Sequence, residues 1–295
     1  MTTALITLFH PPETVAESIR QMARQVDRVI LCDNSPTPQA QVLFENIPNS
    51  HYVRFDENLG LCKAFDRILS DPGYGWQDED FVIFFDQDSR IGSNHVDTLV
   101  NRYSILEQKG LRPGCLGPVY VNACSSKTEP VRSNSSDDDC FPICCTITSS
   151  LLCRYGAIRS IGFWDENLFL DLADWDLCWR LKANGYSCWM TDAVSLEHYL
   201  GLGEKKIGLF RLRVGQPHRE YYQIRDGLYL ISKPHVPWCY RIRFLANIFI
   251  RTPLHLIFLD HRRERLHYVC MGLQDFFRNI HGRSDSAAAL NNKNN

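Results

Sequence analysis

The sequence predicts an α/β fold: a mostly parallel sheet flanked by helices, followed by a helical C-terminal extension. Three observations carry this prediction. Short apolar runs alternate with segments of helical period through the first half of the chain, three successive runs end in an aspartate, and beyond residue 216 the strand-like runs give way to basic, amphipathic patterns. The expected units are one large α/β domain over 1–216, a helical extension over 217–283 and a disordered tail of small and polar residues over 284–295.

Taken in order, Ala4–Phe9, Val29–Leu31, Tyr52–Phe55 and Phe81–Phe85 read as strands, with helices Thr14–Gln25, Leu61–Leu69 and His95–Gln108 between or after them. Such a βαβ series makes a parallel sheet covered on both faces, and sheets of this kind bind ligands at the carboxyl ends of their strands. Asp33, Asp56 and Asp86 each follow a strand, so all three belong at that edge. No G-x-G-x-x-G follows the first strand, where His10-Pro11-Pro12 stands, and no G-x-x-x-x-G-K-[S/T] occurs. Dinucleotide and P-loop chemistry are therefore disfavoured. Asn122 to Asp139 is polar and Ser/Asp-rich and reads as a mobile surface loop lying over the site.

The chain has 295 residues and is 44% hydrophobic, enough for a sizeable core. Lys+Arg 32 against Asp+Glu 34 gives a net charge of -2, which argues against nucleic acid as partner. The twelve cysteines follow a start, Met-Thr-Thr-Ala-Leu-Ile, that lacks a secretory pattern, so a reducing cytosol and free thiols are expected. Cys140, Cys144 and Cys145 lack a second ligand pair at zinc spacing and read as small buried hydrophobes. No apolar run reaches the ~18 residues that would span a bilayer.

Two acidic clusters carry the chemistry. In Asp86-Gln87-Asp88 the period-2 geometry puts Asp86 and Asp88 on one side of an extended backbone and Gln87 on the other, so both acids can face one hard divalent ion. Farther on, Asp171, Asp174 and Asp176 lie at the start of a helix that ends near Gly185; crowded carboxylates raise one another's pKa and suit a general base. Glu197-His198 follows the strand-like Ala193–Leu196, and a neutral imidazole there would complete a metal shell begun by carboxylates.

These segments, in this order, resemble family 2 glycosyltransferases of the GT-A (nucleotide-diphospho-sugar transferase) fold, and within them the bacterial rhamnosyltransferase branch. The resemblance is carried by Val29-Ile-Leu-Cys-Asp-Asn-Ser-Pro36, Asp56-Glu-Asn-Leu-Gly60, Phe84-Phe-Asp-Gln-Asp-Ser89, Phe169-Leu-Asp-Leu-Ala-Asp174 with Trp175-Asp-Leu-Cys-Trp-Arg180, and Glu197-His198, over roughly residues 3–230. It implies a GT-A catalytic domain in which Asp33 contacts the nucleotide base. Pro11, Asn34, Asn58, Gly60 and Asp86 would bind the sugar-nucleotide, Asp88 would hold the divalent metal (Mg2+ or Mn2+) with His198 as a further contact, and Asp174 would be the catalytic base, with Asp176 the alternative. Ala173 stands where most relatives have an acid before the base, and Asp66 where they often have asparagine.

The implied reaction is inverting transfer of a sugar, L-rhamnose from dTDP-L-rhamnose, onto a cell-surface polysaccharide (O-antigen type) or lipid-linked glycan. The alternatives are a UDP-hexose donor, a nucleotidyltransferase or an inactive sugar-nucleotide-binding module. Trp238–Leu259, with Arg241, Arg243, Arg251, Arg262, Arg263 and Arg265, reads as basic amphipathic helices. They are expected to give a cytoplasmic protein a peripheral contact, through 238–265, with the inner face of the membrane; a cap on the catalytic domain or a homodimer interface is the other reading.

Overall fold

The computed structural model describes residues 1–36, 41–122, 127–129, 139–198, 204–207 and 210–284. Four parallel strands open the chain: β1 (Thr2–Leu8), β2 (Arg28–Asp33), β3 (Ser50–Arg54) and β4 (Phe81–Asp86). Between and after them run α1 (Val15–Ala23), the short α2 (Gln41–Phe44), α3 (Gly60–Ser70) and α4 (His95–Gln108). Central strands in this sheet are apolar along their whole length because both faces are covered. Leu5, Ile30, Val82 and Phe84 point into a core shared with α3, while Ala4, Ile6, Val29, Leu31, Ile83 and Phe85 point into the opposite core against α1 and α4. The register Leu5↔Ile30 and Leu5↔Phe84 keeps the two sets in layers.

The second half of the sheet is mixed. It is built from β5 (Pro113–Asn122), β6 (Lys127–Glu129), β7 (Cys140–Pro142), β8 (Leu151–Arg154) and β9 (Ser187–His198), with α5 (Tyr155–Ser160) and α6 (Ala173–Ala183) between β8 and β9. The strand order is β3-β2-β1-β4-β8-β5-β9-β7, with β6 on β5. Strand β8 is antiparallel to β4 and β5, β7 is antiparallel to β9, and β5 runs parallel to β9 with a register shift between Pro118 and Val119. A separate ribbon, β10 (Glu204–Ile207) with β11 (Phe210–Arg213), precedes the helices. Of the polar 122–139 segment, the described residues are Asn122, β6 and Asp139; the loop expected over the site otherwise lies outside the described residues.

The extension comprises α7 (Arg219–Ile231), α8 (Trp238–Ala246), a π-helical turn Asn247–Arg251, α9 (Thr252–Phe258) and α10 (Arg262–Phe277). It is packed onto the α/β unit. Tyr221, Tyr222 and Tyr268 form a small core with Phe169 and Met271. Gly272 lets α10 approach α7, since a Cβ there would lie 2.8 Å from the Tyr221 carbonyl oxygen. Tyr240 and Phe244 of α8 cover Trp175 and Trp179 of α6. Ser284, expected to begin a disordered tail, is buried; residues 285–295 lie outside the described residues.

All described cysteines are free thiols. Cys140, Cys144 and Cys145 are half-buried, and the tightest sulfur cluster is instead Cys115, Cys178 and Cys188, whose Sγ atoms lie within 4.8 Å of one another in the core.

Candidate active site

A cleft of about 570 Å³ opens at the carboxyl ends of β1, β2, β3 and β4, lined by residues 7–10, Asn34, Asp56–Asn58, Gly60, Asp86, Gln87, Phe169 and Leu170, with His218 and Tyr222 from the start of α7 and Arg283 from the chain's last described stretch. The place is the one expected of a parallel sheet. The contribution of α7 is not what a domain boundary at 216 would give, because this helix forms one wall of the site.

The Asp-Gln-Asp turn is fixed through its middle residue. Gln87 pairs with the backbone of residue 9 in both directions, accepting from the Phe9 N–H at 2.8 Å and donating to the Phe9 carbonyl at 3.2 Å. The Asp86 N–H donates to Ser89 Oγ at 3.1 Å, and Ser89 bonds in turn to Ser149. Asp86 and Gln87 both line the cleft, Asp86 half-buried, whereas Asp88 lies in the turn after β4, exposed to solvent and outside the lining, so the extended period-2 alternation expected for the three residues stops at Asp86. Burial first, and then the neighbouring Asp88 charge, push the Asp86 carboxyl up to about 6, against the opposing pull of Arg219. Two carboxylates two residues apart, one in the cleft and one open to solvent, offer hard oxygen donors of the kind that Mg2+ or Mn2+ takes. The backbone of His198 closes β9; its side chain, expected as a further metal contact, lies outside the described residues.

Asp174 lies in the first turn of α6, which begins after Leu172 at φ 68°. Its Oδ1 accepts the Trp175 N–H at 2.9 Å. Burial first, then Cys178, Asp171 and Asp86, raise its pKa to about 8, so it holds a proton far more tightly than an ordinary carboxylate. Arg219, which sequence reasoning missed, pairs with Asp171 through both Nε and a terminal nitrogen. The charges of Asp171, Asp174 and Asp86 raise its pKa, which places one cation among the acids of both clusters.

Asp176 is removed from the site. It is fully buried, with Oδ2 accepting from Arg180 Nε at 2.6 Å and Oδ1 paired with His235 Nε2 at 2.7 Å. At 100° per residue, two positions turn the helix by about 200°, so Asp174 and Asp176 point to opposite sides of α6; neither is among the residues that line the cleft. Asp176→Ala is expected to destabilise the protein by about 3–5 kcal/mol by stranding Arg180 and His235. Thermal unfolding checks this, and turnover in the folded fraction should stay near that of the wild type.

Asp33 also differs from expectation. Instead of presenting its carboxylate to the cleft it is fully buried behind the wall, with Oδ1 accepting the Ser35 N–H at 2.8 Å and Oδ2 the Tyr52 hydroxyl. Asn34 lines the cleft and ties it together, donating to the Gly60 carbonyl at 3.2 Å and accepting the Leu59 N–H at 2.9 Å. Asn58 Oδ1 accepts the Gly60 N–H. Gly60, at φ +75°, packs so closely on Phe169 that a Cβ would meet its ring and carbonyl at 2.5 Å. Pro11 lies outside the lining, which takes His10 instead. Asp66 does not line the cleft; burial, and then a hydrogen bond with Glu166, raise it to about 7.

No protein-family model matches the sequence. Over 95% of its length the chain is 24% identical to the dTDP-rhamnosyl transferase RfbF of Shigella flexneri, covering 96% of that protein. Over 58% of the chain it is 28% identical to an N-acetylglucosaminyl-diphospho-decaprenol L-rhamnosyltransferase of Mycobacterium tuberculosis, covering 66% of it. Among solved structures it resembles S. aureus TarS 1-349 in complex with UDP-GlcNAc, with a TM-score of 0.57 at 14% identity over 98% of this chain and 83% of that one. It also resembles GalNAc-T7 with UDP, GalNAc and Mn2+, with a TM-score of 0.58 at 11% identity, covering 95% of this chain and 57% of that one. The chain has the GT-A fold, and its sequence likeness is to rhamnosyltransferases.

Proposed function

We propose that the chain is a metal-dependent, inverting glycosyltransferase that moves L-rhamnose from dTDP-L-rhamnose onto a glycan or lipid-linked acceptor of the cell surface. The observation that carries this is the meeting of Asp86, from the end of β4, and Asp174, from the start of α6, within reach of each other's charge and of Arg219 beside the cleft. A single displacement needs charge stabilisation on the leaving side of the sugar and a base on the other. Asp86 and Asp88 would hold a divalent metal, which when bound offsets the charge on the departing diphosphate. The acceptor oxygen forms a bond to C1 as the C1–O bond to dTDP breaks, and the hydroxyl proton passes to Asp174. The Asp171–Arg219 pair orients the acidic segment next to that base. The relatives' names support the donor. Release of nucleoside diphosphate from a panel of sugar-nucleotides tests the reading: dTDP-L-rhamnose with Mg2+ or Mn2+ should turn over fastest and a chelator should stop it. Turnover of UDP-hexoses alone would reassign the donor, and release from none would end the enzyme reading.

The acceptor side involves the extension. No described helix is long and apolar enough to cross a membrane. Most large apolar side chains exposed among the described residues lie between Trp238 and Ile280, and Trp238, Ile242, Leu245 and Phe249, spaced four, three and four apart, form one outward stripe, with Trp238 72% and Phe249 73% exposed. Phe244 on the opposite side is buried against Trp175 and Trp179, so α8 is a cap on its inner face and an apolar surface on its outer one. Arg265 does not belong to the expected basic surface. It is buried, with guanidinium bonds to Glu220 Oε1, the Gly215 carbonyl and the Asp260 carbonyl. Arg262 and Arg263 are exposed. The protein is expected to sediment with anionic vesicles and to be released by salt as the Debye length falls from about 10 Å at 0.1 M to about 3 Å at 1 M. Reversing Arg262 and Arg263 to Glu should weaken sedimentation without altering turnover of soluble donor. A salt-insensitive dimer with no vesicle binding would instead make the stripe a subunit interface.

A further inference from the structure

We infer that the C-terminal segment Asn279–Ser284 is part of the donor site and that Arg283 binds the nucleoside end of the donor. This rests on the reading of the cleft given above. The segment leaves α10 and returns across the catalytic domain. The Gly282 N–H donates to the Asn167 carbonyl at 2.8 Å, the His281 ring lies 4.7 Å from the Tyr229 ring, and Ser284 is buried. Gly282 takes φ +67°, and a Cβ there would stand 3.3 Å from the Glu166 carbonyl oxygen. Anchored on both sides, Arg283 lines the cleft beside Asp56, Glu57 and Asn58. Its NH1 lies 3.4 Å from the Asn58 carbonyl and 3.4 Å from the Glu57 carboxylate.

The wall of the cleft is acidic, through Asp56, Glu57 and Asp86, and Arg283 is the one guanidinium among the described lining residues. An anionic nucleotide entering such a wall gains from a fixed cation. Strand order locates which end of the ligand it meets. Asp86 ends β4 and Asp56–Asn58 follow β3, three strand spacings away in the order β3-β2-β1-β4, which is about 14 Å at ~4.8 Å per strand. With the diphosphate held at Asp86 and Asp88, an extended nucleoside diphosphate reaches Arg283 with its base and ribose. A guanidinium offers five donors and no acceptor and stacks on planar rings. Beside the Glu57 carboxylate it sets a donor next to an acceptor, which complements the imide edge of thymine or uracil, where a ring N–H stands between two carbonyls. Asp33, buried and already bonded, leaves that role open.

Calorimetric binding of dTDP and of inorganic diphosphate, each with Mg2+, tests the assignment on the full chain. Arg283→Ala is expected to raise the Kd for dTDP roughly ten- to hundredfold while leaving diphosphate binding and the unfolding temperature at wild-type values. Arg283→Lys should recover part of the loss. Arg278→Ala, at the exposed end of α10 just before the segment and outside the cleft, should bind as the wild type does. If Arg283→Ala binds dTDP normally, the segment has no part in the site although the reading of the cleft stands. An equal loss for dTDP and diphosphate overturns the nucleoside assignment in favour of a phosphate contact. Failure of the wild type to bind dTDP removes both readings together.

Discussion

Asp174→Asn is expected to lower turnover by roughly 10²–10⁴-fold, the loss typical of a missing general base, while the Kd for nucleotide and metal changes little. Asparagine keeps the oxygen that accepts the Trp175 N–H, so the first turn of α6 should survive. The pH dependence is the sharper readout. Burial first, and then the charges around it, raise Asp174 to about 8, and a base works only when deprotonated. Wild-type turnover should therefore climb as pH rises toward about 8 and then level, and the residual rate of the variant should be flat over that window. Stability should move the other way. Because the folded-state pKa lies above the ordinary carboxylate value, the folded state binds this proton more tightly than the unfolded chain does. The resulting stability is complete below the ordinary carboxylate pKa and is lost as pH rises through about 8. Asparagine cannot ionise, so the variant should unfold at a temperature equal to or above that of the wild type, by a margin that grows with pH. A variant that turns over normally with the wild-type pH profile would rule out Asp174 as the base.

The parts of this site that can be read from sequence are those whose geometry is local. The apolar run Phe81–Phe85 fixes where β4 delivers Asp86, but Gln87 and Asp88 lie in a turn beyond the strand, and Gln87, bonded to the backbone of residue 9, lines the cleft beside Asp86. Strands β1, β2 and β4 are equally legible, because burial on both faces writes them as apolar runs, whereas the edge strand β3, Ser50–Arg54, is only partly buried. Strand β8 is different. Leu151–Arg154 is too short to declare a direction, and its antiparallel insertion between β4 and β5 depends on partners far along the chain. The same distance hides the choice between Asp174 and Asp176. Both open the same helix, and what buries the second is Arg180 together with His235, 59 residues on. Asp33 has a strand-end position that suits ligand contact, but Tyr52 on the neighbouring strand occupies its second oxygen. Arg219 and Arg283 enter the site from beyond the apparent end of the α/β domain, so a boundary drawn from composition separates them from the residues they serve.

Asp88→Ala is expected to remove most turnover and to leave the fold unchanged. Asp88 is exposed, and replacing a surface side chain outside the core usually alters stability by no more than about 0.5 kcal/mol. Its value lies in charge. Asp86 is pulled toward its ionised form by Arg219 and away from it by burial and by Asp88, so a divalent ion relieves the repulsion between the two acids and holds both ionised. Without Asp88 that relief is lost along with one hard oxygen ligand, and the metal concentration needed for half-maximal activity should rise at least tenfold. Deleting the Asp88 charge also lets the Asp86 carboxyl fall from about 6 toward the ordinary carboxylate value. The residual activity, measured at saturating metal, should then persist to lower pH than that of the wild type. A structural role for Asp88 predicts neither effect; it predicts a lower unfolding temperature at every metal concentration. Turnover near the wild-type rate with unchanged metal dependence would exclude the Asp-Gln-Asp turn as the metal and diphosphate site.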